Sequence, residues 1–222
     1  MGAGPGIGAA VARALRASGL DVAVAARDPA KLEPWAAPLG IHTFGVDAAS
    51  VESVATLFAA VSARLGEPDF VLYNAGARLR GSILELDPAA VERALRINAW
   101  GGFLVAQQAA RLMVPHRHGA LFFTGATASI KGFAHSGAFA MGKFALRGLA
   151  QSAARELGPQ GIHVAHFLID GGVRSAARPE LADRPDSLLD PAAIAQSYLA
   201  VLAQPRSAWS FEVELRPWVE SF

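Results

Sequence analysis

The sequence has no cysteine among its 222 residues. Disulfides, thiolate nucleophiles and cysteine-based metal sites are therefore excluded. No apolar run is long enough to cross a bilayer, and the first residues lack the basic and apolar regions of a secretory signal. An excess of charge of either sign is also lacking, since the formal net charge is +1. These absences predict a cytoplasmic protein that binds neither nucleic acid nor membrane.

Strand-like and helical segments alternate along the whole chain. The strand-like runs are mostly continuous in apolar residues, which is typical of strands covered on both faces. Asp87-Pro88 and Asp190-Pro191 each place an N-cap residue before a proline at the first helical position. The predicted strands are 21–27, 41–47, 69–76, 119–125, 163–170 and 210–216, and the predicted helices are 7–18, 29–37, 50–65, 88–115, 137–158 and 190–203.

This order predicts an α/β fold with a doubly wound parallel sheet and helices on both faces. One domain is expected over residues 1–222. In such a sheet the first strand comes directly before the glycine loop. Here the sequence opens with the loop itself, MGAGPGIG, so we expect the first strand to be missing from the chain. Segment 171–189 is rich in proline and arginine, and we expect it to form a mobile loop over a substrate.

The glycine loop predicts a dinucleotide site. Gly2, Gly6 and Gly8 are spaced as Gly-x3-Gly-x-Gly, and a helix is predicted to begin at Ile7. Glycines let backbone N–H groups approach a ligand closely, and the amino end of a helix favours an anion. A pyrophosphate fits both properties.

Three further positions are cofactor candidates. Arg27 ends the next predicted strand, where an adenosine ribose would lie, and arginine suits a 2′-phosphate. NADP(H) is therefore favoured over NAD(H). A surface arginine without a ligand role is an equally good interpretation of Arg27. Asp47 is either an acceptor for the adenine amino group or a turn residue. The small residues Asn74, Ala75 and Gly76 would let the backbone pass close to the cofactor.

Taken together, the chain resembles the short-chain dehydrogenase/reductase superfamily over essentially its whole length. The resemblance implies a Rossmann-like domain that transfers hydride between a nicotinamide and a carbonyl or alcohol of a small-molecule substrate. It also implies a homodimer or homotetramer built partly on helices 88–115 and 137–158. The residues that carry it are Gly2, Gly6, Gly8, Asp47, Asn74-Ala75-Gly76, Asn98 in LRINAWGGFLVAQQAA and Lys143 in FAMGKFALRGLAQSAARELGPQGIHV.

The resemblance implies roles for the two last residues. The lysine at 143 would bond the nicotinamide ribose hydroxyls and lower the pKa of a tyrosine four residues earlier, and the asparagine at 98 would help to order a water chain. The pattern breaks at the chemical centre, because Phe139 stands where that tyrosine is expected and Ala126 where a serine is expected. The site therefore retains cofactor-holding residues and lacks those that handle the substrate oxygen.

A proline-glycine pair usually follows the sixth strand, and here it is Asp170-Gly171. Asp170 would add a carboxylate near the nicotinamide amide, and Gly171 and Val173 are carried over from the resemblance as cofactor-binding positions. The dispersed histidines predict no metal site.

Other groups are available to serve the substrate oxygen. Ser129 is the catalytic candidate beside Lys143 and Asn98. The alternatives are Thr127, Ser136 and His135, and all four, Ser129 included, have an ordinary structural explanation as loop, cap or solvated residues.

Two function hypotheses follow from these residues. The first is an NADP(H)-dependent oxidoreductase with a divergent active site. The second is a non-catalytic NAD(P)-binding protein that acts as a sensor or partner subunit. A truncated gene product with neither activity is a third interpretation.

Overall fold

The computed structural model describes residues 1–220, so Ser221 and Phe222 of the predicted domain lie outside the described residues. The helices are α1 (Ile7–Ala17), α2 (Glu33–Ala36), α3 (Val51–Leu65), α4 (Pro88–Leu95), α5 (Gly101–Met113), α6 (Gly137–Leu157) and α7 (Pro191–Leu202). The strands are β1 (Ala23–Ala26), β2 (His42–Gly45), β3 (Phe70–Tyr73), β4 (Ala120–Thr124), β5 (His163–Ile169) and β6 (Glu212–Leu215).

All strand pairs in this part of the chain are parallel, and helices cover both faces. β1 pairs with β2, and β3, β4, β5 and β6 follow one another in a second sheet. Helices α1 and α7 pack together over one face, while α3, α5 and α6 form the other layer. Every residue of β4 and β5 is buried. Burial on both faces explains their continuous apolar sequences and confirms the predicted α/β fold.

The two sheets do not pair with each other, and a space lies between their facing strands, β1 and β3. Residues 1–3 lie at one end of this space and bond to both sides. The Met1 α-amino group donates to the Leu72 carbonyl at 2.7 Å, and the Asn74 N–H donates to the Met1 carbonyl at 3.0 Å. On the other side, the Gly2 N–H donates to the Ala25 carbonyl at 2.9 Å. Within residues 1–220, α1 is the first helix or strand, and the glycine loop leads directly into it.

The predicted helix over 88–115 is interrupted at its centre. Residues Arg96–Trp100 form a π-helical turn between α4 and α5. The hydroxyl of Tyr73 donates to the carbonyl of Ile97 inside this turn, and a group that inserts into a helix's hydrogen-bond ladder is a recognised cause of such irregularities. No periodic pattern in the sequence indicates the turn, although π turns are frequent at functional sites.

The predicted helix over 29–37 is shorter than expected. Pro29–Lys31 form a 3₁₀ turn, and α2 covers only Glu33–Ala36. Pro34 and Pro38 explain this result, because proline lacks the N–H that a helix interior needs. Segment 171–189 contains isolated bridges, such as Val173 with Leu189, and no helix or longer strand.

Candidate functional site

The glycine loop connects residues 1–3 to α1, and its glycines differ in what surrounds them. Gly2 has φ +77°, and a Cβ there would lie 2.2 Å from the Ala75 nitrogen. A Cβ at Gly8 would lie 3.0 Å from the Ala3 Cα. By contrast, a Cβ at Gly6 would meet no protein atom within 4 Å. Gly2 and Gly8 therefore pack the loop, while Gly6 faces open space.

The open space at Gly6 fits an anion. Gly6 is the N-cap of α1, no side chain caps that helix, and its first turn contains no acidic residue. The uncapped N–H groups and the helix dipole favour a negative charge at this position. The glycine loop, together with Ile7 at the first helical position, is therefore compatible with the predicted pyrophosphate.

Asn98 holds the segment that follows β3 in place through hydrogen bonds to the backbone. Its side chain is fully buried in the π turn, and it bonds both the N–H of Ala77 at 3.0 Å and the carbonyl of Ala77 at 2.8 Å. A Cβ at Gly76 would lie 3.3 Å from the Asn98 Oδ1. At the other end of this segment, the Asn74 Nδ2 donates a hydrogen bond to the Gly2 carbonyl at 2.9 Å. The segment Asn74-Ala75-Gly76 is thus held between the glycine loop and the π turn.

Lys143 points into this same region from α6. Its side chain is only 5% exposed, and its Nζ donates to the Thr124 carbonyl at the end of β4 at 2.8 Å. A Cβ at Gly76 would lie 3.7 Å from that Nζ. Burial lowers the pKa of Lys143 from 10.5 to about 8. The ammonium remains charged in most molecules at neutral pH and lacks a carboxylate partner among the described residues.

Phe139 lies one helical turn before Lys143. The Lys143 Nζ is 5.9 Å from the centroid of the Phe139 ring. This distance is at the outer limit of a cation–π interaction, which weakly stabilises the ammonium. The ring carries no proton to donate.

Ser129, the predicted catalytic serine, lies below the surface of the site. It is fully buried in the 3₁₀ turn Thr127–Ser129, and its Oγ accepts from the Ala126 N–H at 3.2 Å. Ala126, where the resemblance leads us to expect a serine, has a methyl side chain and no hydroxyl. His135 and Ser136, the other candidates, stand just before α6.

A buried histidine that the sequence did not indicate lies behind Ser129. Burial lowers the pKa of His166 to about 4, so the ring is neutral at pH 7. The His166 Nδ1 lies 3.1 Å from a carboxylate oxygen of Glu212. The Arg147 guanidinium donates two hydrogen bonds to the same carboxylate, at 2.7 and 2.8 Å. A Cβ at Gly125 would lie 2.2 Å from the His166 Nε2 and 2.9 Å from the Ser129 Oγ. Gly125 is therefore needed for His166 and Ser129 to approach each other.

The residues that follow β5 contact the loop that contains Thr127 and Ser129. Asp170 is buried, accepts a hydrogen bond from the Thr127 hydroxyl, and lies 3.3 Å from Arg216. Gly171 has φ +150° and packs against Pro217, while Val173 forms a bridge with Leu189. Both positions lie at the carboxyl end of β5, on the same edge as Lys143 and Asn98.

Arg27 and Asp47 lie farther out, each just beyond the end of a strand. Arg27 is exposed immediately after β1. Asp47 follows β2, and its carboxylate accepts from the Ala49 N–H at 2.9 Å, which is the geometry of a turn residue. The turn interpretation of Asp47 is thus confirmed, while its role toward an adenine stays a prediction.

A cavity of about 600 Å³ opens beside the amino end of α6. Most of its lining is apolar, and His135 is its one titratable side chain among the described residues. The lining comes from the loop before α4, the start of α4, and the segment leading into α6, including Leu86, Val91, Phe133, Ala138 and Met141.

Neither a membrane-spanning helix nor a metal-binding cluster occurs within residues 1–220. No helix there is long and apolar enough to cross a bilayer. Within the same range, no group of three or more histidine and carboxylate side chains is placed to hold a metal ion.

Comparison with known proteins agrees with this geometry. A family model described as Enoyl-(Acyl carrier protein) reductase matches residues 2–206. A short-chain dehydrogenase from Rhodopseudomonas palustris has 37% sequence identity and a TM-score of 0.84, with 98% of this chain and 96% of that chain covered. A metagenomic short-chain oxidoreductase solved in complex with NADP has 25% identity and a TM-score of 0.82, with 97% and 93% covered.

The curated relatives are longer than the aligned part of this chain. The 3-oxoacyl-[acyl-carrier-protein] reductase MabA of Mycobacterium tuberculosis is 31% identical over 156 residues, which cover 70% of this chain and 61% of the relative. The chain spans between 47% and 61% of the length of the first curated relatives that it matches. The family match over nearly the whole sequence and the agreement of the fold lead to one assignment: this chain belongs to the short-chain dehydrogenase/reductase superfamily.

Proposed function

We propose that the protein is an NADP(H)-dependent oxidoreductase that transfers hydride between the nicotinamide and a small organic substrate through a divergent active site. The observation that carries this proposal is the position of Lys143. Its buried ammonium bonds the Thr124 carbonyl at the end of β4, and a Cβ built at Gly76 would lie 3.7 Å from the ammonium and 3.3 Å from the Asn98 Oδ1. Burying a cation without a carboxylate partner costs free energy. Hydrogen bonds from the ammonium to the hydroxyl groups of a ligand would offset part of that cost.

The proposed cofactor site is formed by residues at the carboxyl ends of the parallel strands. Gly2, Gly8 and Ile7 shape the loop, and Gly6 leaves room for the pyrophosphate. Lys143 bonds the nicotinamide ribose hydroxyls, and Asp47 accepts from the adenine amino group. Asn74, Ala75 and Gly76 line the path between them, and Gly171 and Val173 border the nicotinamide. When bound, the nicotinamide supplies or accepts the hydride.

On the substrate side, we assign the oxygen-handling role to Lys143. Asn98 and Ser129 are fully buried and bonded to Ala77 and Ala126, so they act by positioning the segment after β3 and the loop after β4. Phe139 and Ala126 provide no hydroxyl, so catalysis relies on positioning more than on a strong acid. Substrates that need little protonation, such as activated alkenes or imines, suit such a site better than simple ketones. The apolar cavity beside α6 favours an apolar substrate body.

The direct test uses the purified protein and NADPH. Enhancement of nicotinamide fluorescence measures binding, and loss of absorbance at 340 nm with a panel of enones, imines and carbonyls measures turnover. Saturable binding with turnover of at least one class supports the proposal. No fluorescence change at cofactor concentrations near 1 mM, in the weak range for a cofactor, would refute it.

Replacing Arg27 with aspartate is expected to reverse the cofactor preference. The guanidinium would be lost from the 2′-phosphate, and the new carboxylate would accept from the 2′-hydroxyl of NADH. We expect NADPH affinity to fall by about 10- to 100-fold, since a charged hydrogen bond contributes roughly 1.5–3 kcal/mol. Arg78→Asp, which alters another arginine that we assign no role, should leave the preference unchanged. An unaltered NADPH/NADH ratio in Arg27→Asp would contradict the role of Arg27.

The double variant Phe139→Tyr with Ala126→Ser is expected to gain carbonyl reduction. It would place a proton donor one turn before Lys143 and a hydroxyl in the loop after β4. General acid catalysis contributes roughly 10²- to 10⁴-fold, so a gain of at least about tenfold in turnover is expected. Phe144→Tyr, which adds a hydroxyl on the exposed face of α6, serves as the matched control. Equal activity in the parent and the double variant would contradict the alignment of positions 126 and 139.

One observation favours a second candidate, a non-catalytic dinucleotide-binding protein. The Phe139 ring lies beside the ammonium of Lys143, where a proton donor is expected. NADPH binding without turnover of any substrate in the panel would select this candidate.

The proposal extends to assembly as a homodimer or homotetramer. Trp100, Phe103 and Phe144 are exposed aromatic side chains on the π turn, α5 and α6, and Trp100 and Phe103 are stacked. Exposed aromatic groups are enriched at protein interfaces. Sedimentation equilibrium measures the oligomeric state.

A further inference from the structure

The loop after β4 carries one hydroxyl that is not fully buried. Thr127 begins the 3₁₀ turn Thr127–Ser129 and is half-buried, whereas the Ser129 hydroxyl in the same turn is fully buried. Ala126, just before the turn, has no hydroxyl. The loop begins at Thr124, whose carbonyl accepts from the Lys143 ammonium at 2.8 Å. Thr127 is therefore the hydroxyl of this turn that a substrate beside Lys143 can reach.

Asp170 determines the direction of the hydrogen bonds at Thr127. The Thr127 hydroxyl donates to the Asp170 Oδ1, and the Asp170 side chain is buried. The Asp170 Oδ2 lies 3.3 Å from the Arg216 guanidinium. A carboxylate in such a pair only accepts hydrogen bonds, and a hydroxyl has a single proton. Because that proton is directed to Asp170, the Thr127 oxygen can only accept a hydrogen bond from a further partner.

The charges behind Thr127 favour a cationic partner. Glu214 also contacts the Arg216 guanidinium, so two carboxylates share one cation in this three-residue cluster. The excess of one carboxylate attracts a positive charge and repels a negative one. The nearest facing cation is Lys143, whose ammonium is bonded to the Thr124 carbonyl and, in the proposed function, to the ribose hydroxyls.

The side chains at positions 126 and 139 also favour a substrate that brings its own proton. Neither Ala126 nor Phe139 has a proton to donate. When hydride is added to the carbon of a protonated imine, the C=N π pair becomes the lone pair of the amine nitrogen, and the N–H bond stays intact. Addition of hydride to a ketone instead leaves an alkoxide that must take a proton from a donor.

We propose that the Thr127 oxygen accepts a hydrogen bond from the N–H of a protonated imine, and that Asp170 is the positioning residue that makes Thr127 an acceptor. The substrate class is therefore small imines that bind as N–H cations and leave as amines. This inference rests on the proposed function, because it names the substrate class of the same site. It ranks imines ahead of activated alkenes.

The first test compares two substrates of similar size with the purified protein and NADPH. We expect kcat/KM for 2-methyl-1-pyrroline, a cyclic imine, to exceed that for cyclopentanone by at least about 100-fold, since a site built for an N–H group rejects an analogue without it. Equal values would overturn the inference. Turnover of 2-cyclopentenone without turnover of the imine would overturn it and leave the proposed function standing. Absence of NADPH binding would overturn both.

Asp170→Asn is expected to reverse the hydrogen-bond direction at Thr127. Arginine only donates, so the new amide oxygen faces Arg216 and the amide NH₂ faces Thr127. The hydroxyl then accepts from the amide and directs its proton into the site. We expect the imine-to-ketone ratio of kcat/KM to fall by at least about tenfold, because a hydrogen bond to a charged group contributes roughly 1.5–3 kcal/mol. A loss of stability alone would not change this ratio.

Variants of Thr127 test the acceptor itself. Thr127→Val should lower the same ratio by at least about tenfold, and Thr127→Ser, which keeps the hydroxyl, should retain it. Thr56→Val makes the same chemical change at an exposed position of α3 and serves as the control. A parent-like ratio in Thr127→Val would overturn the inference. If Asp170→Asn does not fold, the Thr127 variants still decide the question.

A binding measurement separates the inference from turnover. Saturation-transfer NMR with NADP⁺ present compares pyrrolidine, a cation with N–H donors, and tetrahydrofuran, which only accepts hydrogen bonds. We expect the parent to bind pyrrolidine more tightly, and Asp170→Asn and Thr127→Val to lose about 3-fold or more of that preference. Equal binding of the two rings by the parent, or an unchanged preference in both variants, would overturn the inference even if the protein catalyses no reaction.

Discussion

The Lys143→Met variant is expected to be more stable than the parent protein at pH 7.5 and to bind NADPH about 100-fold more weakly. The pKa of Lys143 falls from 10.5 to about 8 on burial, so the charged form opposes folding by about 3 kcal/mol. Methionine has a similar length and no charge. The Thr124 carbonyl would lose its donor, which costs roughly 1–2 kcal/mol, so a net gain of about 1–2 kcal/mol remains. The loss of affinity follows from removing a charged donor from the ribose hydroxyls.

The pH dependence of stability tests whether Lys143 is the source of the stability difference between the parent and Lys143→Met. Between pH 8 and 10.5 the unfolded chain binds more protons than the folded one at this position, so the stability of the parent rises with pH. We expect this rise between pH 8 and 9.5 in urea titrations of the parent and a flatter profile in Lys143→Met. Burial raises the pKa of Tyr73 and Tyr198 above 10, so both stay protonated in the folded protein, and their ionisation in the unfolded chain lowers stability mainly toward pH 10 and above.

Lys131→Met provides the control, because it makes the same chemical change at an exposed lysine. It should alter neither the slope with pH nor the NADPH affinity. Unchanged cofactor binding in Lys143→Met would refute the proposed role of this ammonium. A loss of stability at pH 7.5 would show that its hydrogen bond outweighs its desolvation.

Alanine at Gly2 and alanine at Gly6 are expected to have opposite effects. At Gly2 the new Cβ would lie 2.2 Å from the Ala75 nitrogen, and the backbone has φ +77°. Backbone must move to admit it, so we expect the free energy of unfolding to fall by about 3 kcal/mol or more. At Gly6 no protein atom lies within 4 Å of the new Cβ, so stability should change by about 1 kcal/mol or less. The added methyl would instead occupy the space assigned to the pyrophosphate and weaken NADPH binding by at least tenfold, or about 1.4 kcal/mol.

Urea unfolding and fluorescence titration of the two variants separate packing from binding. Gly148→Ala, a helical position with no neighbour within 4 Å, controls for the glycine change itself. Parent-like NADPH binding in Gly6→Ala would place the cofactor elsewhere. Parent-like stability in Gly2→Ala would contradict the close packing of the loop on Ala75.

The sequence predicted the parts of the site that depend on local pattern. The spacing of Gly2, Gly6 and Gly8 before a helical period requires no knowledge of distant residues. The apolar runs of β4 and β5 likewise reveal burial on both faces. Lys143 was identified through the resemblance of its surrounding sequence to the superfamily, and the structure buries its ammonium.

The parts that sequence reasoning missed depend on contacts between distant segments. The π turn is accompanied by a hydrogen bond from the Tyr73 hydroxyl to a carbonyl 24 positions away. His166 meets Glu212 across 46 positions, and no local pattern links them. The pair Gly101-Gly102 was an available signal of close packing, because a Cβ at Gly101 would lie 2.6 Å from the Ala48 carbonyl oxygen. Local pattern also does not determine on which side of its turn Ser129 lies, and the structure buries that hydroxyl.

The π turn at Arg96–Trp100 holds one residue more than the α-helical turn that it replaces. Because the wider turn takes up this extra residue, deleting one residue there is expected to give a regular helix while leaving Leu104 and Ala109 of α5 in the core. The same deletion would displace Asn98 from Ala77 and release the segment after β3. The extra residue therefore serves the site and not the packing of the helix that contains it.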